Sequence, residues 1–208
     1  MLTEKLRLYV ILPDSKNAPA LAEKALQGGA TAVQLRMKGT GDRECLQIAR
    51  KVRRITREYD ALFIVDDRVD VALLSDADGV HLGAEDLPVK DVRELAPNLI
   101  IGATVRSVES AKSAEKEGAD YLGVGSIYPS PSKDAPVIGV QTLKELASSV
   151  NIPVVAIGGI TEKNVAEVIA AGAAGVAVLS AIFSSENVRE KTTLLRRSVD
   201  SALARRGT

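Results

Sequence analysis

The chain has 208 residues, enough for one sizeable hydrophobic core, and its 27 lysines and arginines balance 27 aspartates and glutamates. A formal net charge of zero argues against general nucleic-acid binding and against a basic membrane-surface protein, while leaving room for local basic clusters. The single cysteine, Cys45, excludes an internal disulfide, and no Cys/His cluster offers a zinc site. The N-terminal apolar run is too short for a signal-peptide core or a membrane span, and no other stretch reaches membrane length. A reducing cytoplasm is therefore the expected setting.

In chain order, short apolar runs alternate with longer amphipathic stretches, with Gly, Asp, Pro or Ser between them. Strands are expected at 8–12, 32–35, 62–65, 79–82, 99–104, 121–124, 153–157 and 175–179. Helices are expected at 18–27, 42–58, 69–75, 89–95, 107–117, 141–148, 162–171 and 187–204. Runs such as Pro153 to Gly159 are apolar on both faces, as strands of a buried parallel sheet must be. Parallel strands need helical crossovers, and every gap holds one. Eight strand–helix units with no linker fit an α/β fold of one domain over 1–208, a closed (β/α)8 TIM barrel. A doubly wound open sheet is the alternative. Gly29-Ala30, Gly118-Ala119 and Gly172-Ala173 repeat one turn device, each where a helix ends and a strand begins.

In such a barrel the active site lies at the C-terminal ends of the strands. Strand three ends in Asp66-Asp67, and strand four is followed by Glu85-Asp86. Two adjacent strands that both end in carboxylates place hard oxygen ligands on one rim, which suits Mg²⁺ with phosphate substrates. Helix capping explains either Asp67 or Asp86 taken alone. Strand two ends in Gln34-Leu35-Arg36-Met37-Lys38, and alternation sends Gln34, Arg36 and Lys38 the same way. One amide and two cations suit an anionic ligand with a hydrogen-bonding ring. The only histidine, His81, reads as a hydrogen-bonded core residue. Thr104 could meet a phosphate, but capping of the helix at Ser107 is the favoured role. The long loop after strand six, with Ser130, Pro131, Ser132 and Lys133, reads as a phosphate-handling lid. Gly158-Gly159 and Leu179-Ser180 sit where barrels often bind phosphate; close strand–helix packing is the competing explanation. Pro13-Asp14-Ser15, after strand one, offers little. The sum is a metal-and-cation side and a separate monophosphate side, hence two phosphorylated small-molecule substrates. There is no clear nucleophile.

Several blocks resemble the thiamine phosphate synthase family over nearly the full length. They are Gln34-Leu-Arg-x-Lys38, Asp66-Asp67-Arg-Val-Asp-Val-Ala72, Asp78-Gly-Val-His-Leu-Gly-x-Glu-Asp86, Gly118-Ala-Asp-Tyr-Leu-Gly123 and Gly125-x-Ile-Tyr-Pro-Ser-x-Ser-Lys133. Ala156-Ile-Gly-Gly-Ile160 and Val178-Leu-Ser-Ala-Ile182 also match, and are shared by many phosphate-binding barrels. The resemblance implies joining of 4-amino-2-methyl-5-hydroxymethylpyrimidine diphosphate to 4-methyl-5-(2-hydroxyethyl)thiazole phosphate. It implies Mg²⁺ on Asp67 and Asp86, and a dissociative loss of diphosphate. Gln34, Arg36, Lys38, Asp66, Thr104 and Lys133 would line the pyrimidine diphosphate site, with Leu35 and Met37 also among the substrate-binding residues and Lys38, Thr104 and Lys133 as the catalytic residues. Ser130, Pro131, Ser132, Gly159, Leu179 and Ser180 would line the thiazole phosphate site. The chain departs from the commoner bacterial pattern at Met37 (Glu), Asp66 (Asn), Ala84 (Gln), Thr104 (Ser), Arg106 (His), and Ser130 and Ser132 (Thr). A thiazole phosphate tautomerase of the same superfamily is the alternative activity, and keeps no need for the diphosphate machinery. Barrels of this kind often self-associate through helix faces, so a homo-oligomer is compatible with the sequence.

Overall fold

The computed structural model describes residues 1–130 and 136–207. Eight parallel strands close into a barrel in sequence order. They are β1 (Leu8–Ile11), β2 (Ala32–Leu35), β3 (Leu62–Asp66), β4 (Gly79–Leu82), β5 (Ile100–Val105), β6 (Tyr121–Val124), β7 (Val154–Ile157) and β8 (Gly175–Val178). The helices are α1 (Leu2–Lys5), α2 (Ala18–Gln27), α3 (Asp42–Glu58), α4 (Val69–Leu74), α5 (Val89–Leu95), α6 (Val108–Glu117), α7 (Gly139–Ser149), α8 (Val165–Ala170), α9 (Ser180–Phe183) and α10 (Val188–Arg206). The (β/α)8 expectation holds, and the open sheet does not. Two short helices, α1 and α9, were not anticipated. Helix α8 starts later than its periodicity suggests. The Asn164 side chain accepts from Thr161 N at 2.8 Å and donates to Gly159 O at 3.0 Å, so a local turn takes the place of the first helical residues.

Strand alternation produces two cores. Leu8, Val33, Phe63 and Val80 face outward and pack under the helices. Tyr9, Ile11, Ala32, Ile64, Tyr121, Val155 and Ala177 face the barrel axis, with Leu6 among them. The inner core is filled by matching large rings to missing side chains. Asp66 pairs with His81, His81 with Gly102, and Gly102 with Tyr121. A Cβ on Gly102 would lie 2.1 Å from Tyr121 Cζ, and one on Gly123 would lie 2.8 Å from His81 Cε1. The two glycines are thus the space that the two rings occupy.

The N-terminal rim is tied by a repeated contact. Thr31 Oγ1 accepts from Leu8 N at 2.9 Å, Asp78 Oδ2 from Phe63 N at 2.8 Å, and Asp120 Oδ2 from Ile101 N at 2.8 Å. In each case the residue before an even-numbered strand holds the strand preceding it. Helix arginines reinforce two of these clips. Arg53 grips Asp78 with both terminal guanidinium nitrogens, at 2.8 and 2.9 Å, and Arg93 Nη2 reaches Asp120 at 2.5 Å. The Gly-Ala turn read from the sequence delivers the chain to Thr31 and Asp120, while before Asp78 the left-handed position is taken by Asp76, φ 57°. A Cβ at 102 must displace a ring in a filled interior, so Gly102→Ala should destabilise the fold by about 3 kcal/mol. Urea unfolding checks this, and an unchanged midpoint would refute the matched packing.

Candidate functional site

Strand β2 carries Gln34 with its side chain turned into the barrel mouth and only 4% exposed. A buried amide needs partners, and Gln34 Nε2 donates to Asp66 Oδ1 at 2.5 Å. Arg36 and Lys38 follow at the same parity. Arg36 Nε lies 3.6 Å from Asp66 Oδ2, and Lys38 Nζ lies 3.7 Å from that atom. Lys38 Nζ also donates to Asp67 Oδ2 at 2.7 Å, the main cause of its raised pKa. Leu35 and Met37 have the opposite parity, and their side chains are buried in the core beneath the helices. The structure does not bring those two side chains to the cleft.

Asp66 ends β3. Burial, and then the neighbouring Asp67 carboxylate, push its carboxyl up to about 6 against the pull of Lys38 and Arg36. Asp67 adopts a left-handed backbone, φ 53°, and its N–H donates to His81 O at 2.9 Å, which ties the end of β3 to β4. Asp86 Oδ2 accepts from Gly83 N at 2.6 Å. Neither carboxylate caps a helix. The N-cap of α4 is Arg68 and that of α5 is Pro88, both without a side-chain cap bond. Among the described residues no group of three or more Asp, Glu, His or Cys side chains forms a metal cage.

Thr104 corrects the capping expectation. Ser107 caps α6 itself, accepting from Ser110 N at 3.2 Å. Thr104 Oγ1 instead meets His81 Nε2 at 2.9 Å. His81 Nδ1 meets the Tyr121 hydroxyl at 3.1 Å, and that hydroxyl meets Tyr9 Oη at 3.0 Å. His81 is therefore a hydrogen-bonded wall of the barrel, as its position in a strand suggested.

The cleft at the mouth holds about 1030 Å³, part of it open to solvent. One side is formed by Gln34, Arg36, Asp66, His81, Thr104 and Arg106, and the other by Ser126, Ser130, Gly159, Ile160, Leu179 and Ser180. The structure thus brings Ser130, Gly159, Leu179 and Ser180 together across from the charged side. Pro131, Ser132 and Lys133 lie outside the described residues. The glycines after β7 have a packing reason. Gly158 and Gly159 have φ of 98° and 64°. Added Cβ atoms there would lie 2.1 Å from Ser126 Oγ and 2.4 Å from Pro129 O. The close approach they allow is to the base of the β6 loop rather than to the following helix.

Sequence reasoning passed over Asp14. Its Oδ2 accepts from both Lys38 N and Gly39 N at 3.0 Å, so the loop after β1 clamps the backbone that presents Lys38. Nothing in the local pattern signals this, because the contact spans two loops. Arg106 and Ser126 also line the cleft without having been assigned a role.

A closed parallel barrel with a charged, hydroxyl-lined cleft at its C-terminal mouth defines a (β/α)8 enzyme. Residues 8–182 match the family model described as thiamine monophosphate synthase, and the chain belongs to that family. It is 54% identical over 205 residues to a thiamine-phosphate synthase of Pyrococcus furiosus, covering 97% of this chain and 99% of that one. It is 48% identical over 187 residues to a thiamine-phosphate synthase of Methanococcus maripaludis, covering 89% and 90%. A solved thiamine phosphate pyrophosphorylase from Pyrococcus furiosus superposes with a TM-score of 0.93 at 52% identity, covering 98% of this chain and all of that one. Among the described residues no helix is long and apolar enough to cross a membrane.

The Asp66 environment gives a pH test. In the absence of divalent ions the folded state keeps a proton that the unfolded chain releases between 3.8 and about 6. This contribution to stability is present below 3.8 and is lost as pH rises through about 6. Asp66→Asn removes it, so the wild type should lose stability relative to the variant between about pH 4 and about pH 7. Urea midpoints for both proteins across that range measure the difference, and a pH-independent difference would show that Asp66 titrates normally.

Proposed function

We propose that the cleft couples 4-amino-2-methyl-5-hydroxymethylpyrimidine diphosphate to 4-methyl-5-(2-hydroxyethyl)thiazole phosphate, giving thiamine phosphate and diphosphate. The observation that carries this reading is the two-sided cleft. Its cationic side adjoins Asp67 and Asp86, and its neutral side offers hydroxyls and glycine backbone. Membership of the family supports the same reaction.

Asp67 and Asp86 are hard oxygen donors on neighbouring loops, and neither is used up as a helix cap. Two carboxylates completed by substrate phosphate are a donor set that fits Mg²⁺, which seldom takes a full protein cage. Asp67 and Asp86 would hold the ion, which would supply positive charge to offset that of the leaving diphosphate. Lys38 releases Asp67 and turns to the diphosphate, where Arg36 adds a second cation. Gln34 and Asp66 present an amide and a carboxyl to the aminopyrimidine ring. Thr104 donates a hydrogen bond to the departing oxygen. Ser130, Gly159 and Ser180 hold the thiazole phosphate opposite. The C–O bond of the pyrimidine methylene breaks with its electron pair leaving on diphosphate, and the thiazole nitrogen lone pair forms the new C–N bond. No enzyme nucleophile is needed, and a dry, charge-matched cleft supplies the acceleration. Soluble substrates and a reduced, buried Cys45 agree with a cytoplasmic setting.

Coupling is measured by following thiamine phosphate by mass with both substrates present. Product should form with Mg²⁺ and disappear on chelation. Activity that survives chelation would discard the metal role of Asp67 and Asp86, and no product from folded protein would discard the reaction. Lys38→Ala and Asp86→Ala should each lower kcat/KM at least about hundredfold. Asp14→Ala, which frees the backbone of Lys38, should lower it by about tenfold without changing the unfolding midpoint comparably.

A further inference from the structure

The four polar side chains Tyr9, Tyr121, His81 and Thr104 run in one chain of hydrogen bonds, at 3.0, 3.1 and 2.9 Å, from the barrel interior to the cleft. Two of these groups are phenols sealed in apolar surroundings. Tyr9 is 1% and Tyr121 0% exposed, and Leu6, Ile64, Val155 and Ala177 surround them. Burial drives both phenols well above their ordinary pKa, so each keeps its hydrogen.

The hydrogens can be counted. Tyr9 Oη, Tyr121 Oη and His81 Nδ1 make two contacts in a row. Each contact takes one hydrogen, and the two phenols supply two. A hydrogen on Nδ1 would be a third for two places and would leave one buried donor without an acceptor. An orphaned donor in an apolar core loses its hydration with nothing in return. Nδ1 is therefore the bare, accepting nitrogen. Tyr9 donates to Tyr121, and Tyr121 donates to Nδ1. The neutral ring then carries its hydrogen on Nε2, which donates to Thr104 Oγ1. Since that contact already holds a hydrogen, the Thr104 hydroxyl cannot donate back to His81. Thr104 lines the cleft, which leaves its own hydrogen to be donated there.

We propose that Tyr9, Tyr121 and His81 form a positioning chain that holds His81 in the Nε2–H tautomer and commits the Thr104 hydroxyl to donate into the cleft. The ligand class this selects is an acceptor-only oxygen, such as that of a diphosphate ester, over a donor group. The assignment of that oxygen to the leaving diphosphate rests on the coupling reaction proposed above, whereas the tautomer itself does not. Tyr9 and Tyr121 stand behind the cleft lining and act through His81 on Thr104.

His81 is the only histidine of the chain, so protein labelled with ¹⁵N-histidine gives the two ring nitrogens of one residue without overlap. In mildly alkaline buffer the wild type should show Nε2 protonated and Nδ1 bare, and Tyr121→Phe should let the Nδ1–H form appear. A wild-type ring protonated at Nδ1, alone or together with Nε2, overturns the proposal. Kinetics give the second arm. Tyr121→Phe should lower kcat by about tenfold, with both KM values moving less than about twofold. Tyr121→Phe combined with Thr104→Val should be no slower than Thr104→Val alone, because the chain acts only through the hydroxyl. Additive losses overturn the proposal. If the wild type makes no thiamine phosphate, the reaction assignment fails, and the wild-type spectrum still decides the tautomer.

Discussion

A single carboxylate, Asp66, sets the arrangement of the barrel mouth. It ends β3 largely out of solvent, where an unpaired charge costs several kcal/mol, and the groups around it answer that cost. The Gln34 amide bonds it directly, and Arg36 and Lys38 turn toward it from the loop after β2. Asp67 works against it by repulsion and draws the Lys38 ammonium to itself. Arg36 and Lys38 are therefore held by internal anions at rest. An incoming polyanion competes with Asp66 and Asp67 for them, so the site exchanges one set of ion pairs for another.

The same economy of space governs the inside of the barrel. Gly102 and Gly123 are missing side chains that let the Tyr121 and His81 rings in. Those rings carry polar atoms into a region otherwise packed with Leu, Ile, Val and Ala. They bond to each other, to Tyr9 and to Thr104. An interior that could have been wholly aliphatic thus connects its floor to the reactive face through directional bonds.

Much of this was visible along the chain. The alternation of short apolar and longer amphipathic runs located all eight strands, because burial on both faces leaves no polar period to misread. Gln34, Arg36 and Lys38 stood out because strand parity places them on one side, and Asp66 and Thr104 because they end strands. What escaped notice depends on contacts between distant segments. Asp14 acts on the backbone of Lys38, and Tyr9 meets Tyr121 across the barrel; neither pairing leaves a local trace. Thr104 was given a cap role because a hydroxyl three residues before a helix suggests one, but Ser107 does that work. Parity also shows why Leu35 and Met37 belong to the outer core, although they stand inside a block whose alternate members face the cleft. Helices α1 and α9 were too short to produce a periodic signal.

The root of the β6 loop has an evolutionary consequence. Ile138 N donates to Ser126 O at 2.9 Å, and Ile127 and Tyr128 bond the carbonyls of Ile157 and Gly158. The Tyr128 hydroxyl is fastened to Glu167 at 2.8 Å. The two stems of the loop are thereby joined to each other and to the β7 end before the loop departs. Lengthening a loop whose ends are already fixed adds little closure entropy, only about 0.6 kcal/mol per doubling. Descendants of this barrel can accordingly rewrite the sequence between the stems, and with it the ligand they accept, while the strands beneath inherit no strain from the change.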